Sequence, residues 1–91
     1  MGGIMPKPDN HLDLVVVVSG AVQNVRINMR ERLEHAVREA LRESGNEGQP
    51  PGEWELRSEA GELLDLEMTG EQARLQDGAT LFLSPRAGAG G

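Results

Sequence analysis

Leu12-Asp13-Leu14-Val15-Val16-Val17-Val18-Ser19-Gly20 is the stretch on which the architecture turns. Leu12, Leu14, Val16 and Val18 fall on one face of an extended chain, and Asp13, Val15 and Val17 fall on the other. Four consecutive valines favour a strand over a helix, because β-branching restricts χ1 and suits a pleated surface. Ser19-Gly20 is turn chemistry. Val25 and Ile27 then alternate with Asn24, Arg26 and Asn28, which predicts a hairpin.

Reading on from the hairpin, Asn28 and Glu31 have capping-box spacing and predict a helix start. Met29, Leu33, Ala36, Val37, Ala40 and Leu41 recur at intervals of three and four and make one apolar stripe. Glu34 and Arg38 form an i,i+4 pair on the wet side, and Gly45 sits where a helix C-cap is wanted. Three glycines and two prolines in Gly45–Glu53 then predict a loop. Trp54 and Leu56 belong to a short strand, a Glu59-Ala60-Gly61 turn follows, and a second short strand covers Leu63 to Leu66. Residues 67–78 are expected to be irregular, with a helical turn around Leu75. The Asp77-Gly78 turn precedes a last strand, Thr80-Leu81-Phe82-Leu83, ended by Pro85. Residues 1–10 and 86–91 have little to bury and are expected to be flexible tails around one domain, residues 11–85. A hairpin covered by one helix and closed by a later strand beside the first is an α+β roll.

Composition narrows the function classes. At 91 residues, with 37% apolar and 26% charged content, the chain has room for one small core. Nine basic residues against 15 acidic ones give a net charge of −6, which disfavours nucleic acid as a partner. There is no cysteine, hence no disulfide, thiolate nucleophile or Cys-based zinc site, which fits a reducing cytosol. The first ten residues lack the apolar core of a secretory signal. The longest apolar run, Leu14–Val18, is far short of a membrane span. Pro6 spoils the myristoylation pattern that Gly2 begins. A cytoplasmic location without membrane contact is expected. His11 and His35 have no second ligand at metal spacing. The glutamates from Glu53 to Glu71 read as a solvated face. With no nucleophile–base pair, phosphate-cradling loop or hydride site, the chain is expected to be neither an enzyme nor the holder of a metal or cofactor.

The order of landmarks resembles a ubiquitin-like β-grasp protein over roughly residues 12–91. The helix exit at Gly45 followed by Pro50-Pro51, the Leu75-Gln76-Asp77-Gly78 turn, the Thr80–Leu83 strand and the Gly90-Gly91 end all occur in that family's order. The closer resemblance is to bacterial ubiquitin-like modifiers encoded with an activating enzyme, a conjugating enzyme and a JAB-type metalloprotease. These would be the partners, together with target proteins. Arg86 matches the tail arginine of ubiquitin, whereas Ala87-Gly88-Ala89 lacks the second arginine and lengthens the tail by about one residue. The resemblance assigns Gly90 and Gly91 to conjugation, and Arg86 and Gly88 to recognition by the activating enzyme.

A free α-carboxyl group has a pKa of about 3.3 to 3.7, so at neutral pH it is a carboxylate and a poor electrophile. The resemblance therefore implies ATP-dependent adenylation at Gly91, then transfer through enzyme thioesters to lysine amines. Glycines suit this because a backbone without Cβ passes through a narrow channel. Residues 86–91 extended would reach roughly 20 Å. A sulfur carrier with a C-terminal thiocarboxylate, or a β-grasp binding module that is never conjugated, would share the fold. Lys7 is the only lysine against eight arginines. Arginine keeps positive charge without a nucleophilic amine, so Lys7 or the N-terminal amine is the expected acceptor for chains. A GC-rich genome would produce the same bias. If Leu81 and Leu83 face the helix, Phe82 faces away beside Val15 or Val17, and an exposed partner surface is expected unless loops cover it.

Overall fold

In the computed structural model, which describes residues 10–86, the hairpin forms as β1 (His11–Val18) and β2 (Ala21–Asn28). Its two-residue turn places Ser19 and Gly20 at φ of 48° and 90°, the positive-φ pair that matches the twist of the flanking strands. Val18 therefore opposes Ala21, Val17 opposes Val22, and the register runs out to His11 opposite Asn28. The alternation holds along β1. Leu12, Leu14, Val16 and Val18 are buried, as are Val25 and Ile27 on β2.

Helix α1 (Leu33–Glu43) lays Leu33, Ala36, Val37, Ala40 and Leu41 on this face. Its C-terminus is closed by Gly45 at φ 85°, with the Gly45 N–H donating to the Arg42 carbonyl and the Asn46 N–H to the Leu41 carbonyl. This is the paired 5→2 and 6→1 arrangement that favours glycine. The N-terminus differs from expectation. The Glu31 carboxylate accepts the Asn28 N–H at 2.6 Å and the Asn28 side chain accepts the Arg30 N–H, so the box is made. It closes a turn instead of a helix, and Met29 lies in that turn. Two residues later α1 begins without a side-chain cap. The free N–H groups of Leu33 and Glu34 donate to the carbonyls of Met68 (2.7 Å) and Leu66 (2.9 Å). A helix leaves its first donors unpaired, and here a distant segment accepts them.

That segment, residues 66–75, overlaps the irregular stretch expected at 67–78 and includes Leu66, expected in a strand, and it is tightly bound. Gly70 N–H donates to the Glu31 carbonyl, and Glu71 N–H to the Met29 carbonyl. Thr69 and Gln72 form a reciprocal capping box, with both bonds at 3.0 Å, at the start of one helical turn. β3 (Trp54–Ser58) follows a short 3-10 helix, Pro51–Glu53. β4 is only Leu63–Leu64, because Asp65 turns the chain away, accepting Glu67 N–H on its carboxylate and Met68 N–H on its carbonyl. β5 (Thr80–Pro85) closes the sheet in the order β2-β1-β5-β3-β4, parallel to β1 and antiparallel to β3. Pro85 is still paired, opposite Trp54. The result is the expected α+β roll, a mixed five-stranded sheet over one helix.

Gly70 marks where the 66–75 segment presses on the hairpin. A Cβ there would lie 2.8 Å from Leu12 Cδ1, and because Leu12 is buried its methyl has to shift within the packed core. Replacing glycine by alanine restricts the unfolded chain, a gain of about 0.4–1 kcal/mol, but overpacking costs roughly 1–3 kcal/mol. The clash wins. Gly70→Ala is expected to lower stability by about 1 kcal/mol, seen as a fall in melting temperature of roughly 4–8 °C. Gly52→Ala, whose Cβ meets open space, is the control and should stay within about 0.5 kcal/mol.

Candidate functional site

The outer face of the sheet collects what the core face rejects. Val17 and Phe82 are register partners across the parallel β1–β5 pair, so the two residues expected to be neighbours are neighbours. Val15 lies two positions away on the same face, opposite Thr80. The register then extends the row in both directions: Val22 stands opposite Val17, Arg57 opposite Phe82, and Leu63 opposite Arg57. One line of side chains, Val22–Val17–Phe82–Arg57–Leu63, crosses all five strands. Val22, Leu63 and Phe82, at 62%, 56% and 44% exposure, are the exposed large hydrophobic residues of the described chain. Apolar residues scattered singly over a surface are ordinary, but three in one row form a patch.

Arg57 interrupts the row without making it polar. Its guanidinium donates to the Gly61 carbonyl at 2.9 Å and to the Glu55 carboxylate at 3.3 Å. The charged head is thereby held at the β3–β4 turn, which leaves its methylene stem in line between Phe82 and Leu63. Sequence reasoning reached Phe82, Val15 and Val17 and missed Val22 and Leu63. Val22 was within reach, since a two-residue turn at Ser19-Gly20 sets it opposite Val17. Leu63 was not, because its pairing depends on where the brief β4 stops.

The strand that carries Phe82 also carries the base of the C-terminal segment. Arg86 N–H donates to the Glu53 carbonyl at 2.8 Å, and Arg86 Nε–H to the Gly52 carbonyl at 3.2 Å. Both acceptors belong to the 3-10 helix just before β3. β5 itself is fixed at its other end, where the Asp77 carboxylate accepts Asp13 N–H and Gly78 N–H donates to the Asp13 carbonyl, each at 2.7 Å. Two positions assigned to the flexible tails are held instead: Arg86 by these bonds, and Asn10, whose carbonyl accepts Met29 N–H at 2.6 Å. Lys7, Gly88, Gly90 and Gly91 lie outside the described residues, with the rest of 1–9 and 87–91.

Elsewhere several surface charges pair with near neighbours. On α1, Arg38 pairs with Glu34 and Arg42 with Glu39. The Arg42 guanidinium is held above its usual pKa chiefly by the hydrogen bond to Glu39, then by that carboxylate's charge. His35 stands 3.4 Å from Glu31. Among the described residues, no group of three or more His, Asp or Glu side chains is placed to hold a metal ion, and no helix is long and apolar enough to cross a membrane.

Solved structures with this chain trace include a protein designed on the basis of ubiquitin, with a TM-score of 0.76 and 20% identity over 92% of this chain and 99% of that one. The ubiquitin of Caldiarchaeum subterraneum superposes with a TM-score of 0.69 and 18% identity, over 85% of this chain and 95% of that one. At such identities the likeness establishes the fold, which is ubiquitin-like. By sequence, the chain is 38% identical over 92 residues to the uncharacterized protein y4jI of Sinorhizobium fredii (strain NBRC 101917 / NGR234), an alignment spanning 93% of this chain and 70% of that protein. Residues 7–91 match the family described as protein of unknown function DUF2604, and the chain belongs to that family.

Proposed function

We propose that this protein is a bacterial ubiquitin-like modifier that is joined through Gly91 to amines of other proteins. The observation that carries the reading is the placement of the last strand. β5 ends at Pro85 on a ubiquitin-like body, the hydrogen-bonded Arg86 comes next, and the sequence Ala-Gly-Ala-Gly-Gly follows directly. The chain supplies an acyl group, and separate enzymes supply the catalysis. The Gly91 carboxylate, free or freed by a protease of the JAB type, attacks the α-phosphorus of ATP, and pyrophosphate leaves. An enzyme thiolate attacks the acyl adenylate and AMP leaves. A lysine amine then attacks the thioester, the thiolate departs, and an isopeptide bond remains. Gly90 and Gly91 present no Cβ to the attacking groups, which keeps the acyl carbon open.

Arg86 and Gly88 serve recognition by the activating enzyme, and the Phe82 row gives the enzymes an apolar surface on the folded body. Such division suits the chemistry, because an acyl end tethered to the body gains effective concentration once the body is docked.

Mixing the protein with its activating enzyme and ATP should release pyrophosphate, and adding conjugating enzyme and lysate should give higher-mass adducts. Removing Gly90 and Gly91 should abolish both. A gain equal to the exchange of one oxygen for sulfur, without adducts, would identify a sulfur carrier instead, and no ATP turnover at all would leave a binding module.

Phe82→Ala should raise the KM for this protein in the activation step about tenfold, equivalent to ~1.4 kcal/mol, while the fold is kept because Phe82 faces away from the core. Unchanged transfer kinetics would remove the patch from the mechanism. Where polymers of this chain form, Lys7→Arg with an acetylated α-amine should reduce the ladder to single additions. A persisting ladder would exclude both Lys7 and the α-amine as the acceptor.

A further inference from the structure

A groove of about 400 Å³ opens on the β3–β4 side of the molecule, beside Arg86. It exists because β4 is short. β4 pairs only with Leu56 and Arg57, so among the described residues Trp54 and Glu55 have β5 on one flank and no strand on the other. The chain that would have continued the pairing turns away at Asp65. Trp54, Leu56, Leu63, Leu64 and Leu66 give the groove an apolar floor, and Leu63 makes it continuous with the Phe82 row.

Its rim is acidic. Glu55, Asp65 and Glu67 line it against one cation, Arg86. Glu55 is engaged by Arg57, but Asp65 and Glu67 form no ion pair among the described residues, in contrast to the self-paired arginines of α1. A ligand carrying phosphate or carboxylate would be repelled. An apolar side chain would bury itself on the floor, and flanking cations would meet the Asp65 and Glu67 carboxylates; apolar burial supplies affinity, while the charges supply orientation and rate of encounter.

We infer that this groove receives a segment of the activating enzyme in which an apolar side chain is flanked by arginine or lysine, and that this contact positions the enzyme beside Arg86. The inference rests on the modifier reading for the identity of the partner, and on the groove itself for the chemistry. Sitting next to the anchored Arg86, the occupant would hold the body at the point from which residues 87–91 depart.

Two measurements separate the groove from the modifier reading. In the first, the isotope-labelled protein is titrated with a short capped peptide in which leucine and tryptophan alternate with arginine, followed by nuclear magnetic resonance. Shifts should centre on Trp54, Glu55 and Leu63–Glu67, affinity should fall with added salt, and Asp65→Asn with Glu67→Gln should weaken binding about tenfold. The asparagine keeps the oxygen that accepts Glu67 N–H, so the turn survives. Equal binding of a twin peptide with glutamate for arginine, shifts centred on α1, or no binding overturns the groove. In the second, ATP–pyrophosphate exchange with the activating enzyme should show KM raised about tenfold in the same double variant and kcat unchanged. Peptide binding without exchange by the unaltered protein defeats the modifier reading and leaves the groove's chemistry standing. Exchange with an unaltered KM in the variant defeats the groove's assignment to that enzyme and leaves the modifier reading standing.

Discussion

The parallel pairing of β5 with β1 is the constraint on which the rest of the molecule depends. Two strands far apart in sequence lie side by side, and the pairing is fixed at its start by the Asp77 carboxylate on Asp13 N–H and by Gly78 N–H on the Asp13 carbonyl. Once Val17 stands opposite Phe82, period-2 alternation sends Leu81 and Leu83 into the core and Phe82 out. A slip of one residue would exchange those faces. The same pairing delivers Arg86 to the carbonyls of Gly52 and Glu53, so the outer row and the base of the C-terminal segment are consequences of one register.

Much of this was legible in the sequence because the decisive signals are local. Four valines and Ser19-Gly20 specify a hairpin, the spacing of Leu33, Ala36, Val37, Ala40 and Leu41 specifies a helix face, and Gly45 specifies its end. The Asn28–Glu31 box was read correctly as a hydrogen-bonding unit and wrongly as the helix start. Its bonds are satisfied within a turn, and α1 takes its cap from the carbonyls of Leu66 and Met68, over thirty positions on in the chain. No local pattern announces that partner. The Thr69–Gln72 box, by contrast, was visible as Thr-x-x-Gln and would have placed the helical turn at its observed start.

The candidate site divides along the same line. Phe82 and Val17 follow from alternation, and Val22 follows from turn length. Leu63 and the groove depend on where β4 stops, which is set by the Asp65 turn and by the bonds of residues 66–71 to residues 29–34. The short β4 therefore has two effects: it frees the segment that caps α1, and it leaves the flank of Trp54 and Glu55 open. Helix capping and groove formation are linked through a single strand that ends early.

The most direct test of a Gly91-linked modifier uses the chain's own arginine. Trypsin cuts after Arg86, so every conjugated lysine in a digest of the native host should retain Ala-Gly-Ala-Gly-Gly on its ε-amine, the sequence of residues 87–91. Modified lysines bearing that remnant, lost when the gene is deleted, are the predicted result. A host proteome in which the protein is abundant, its Gly91 carboxyl is free and no lysine carries the remnant would contradict the account.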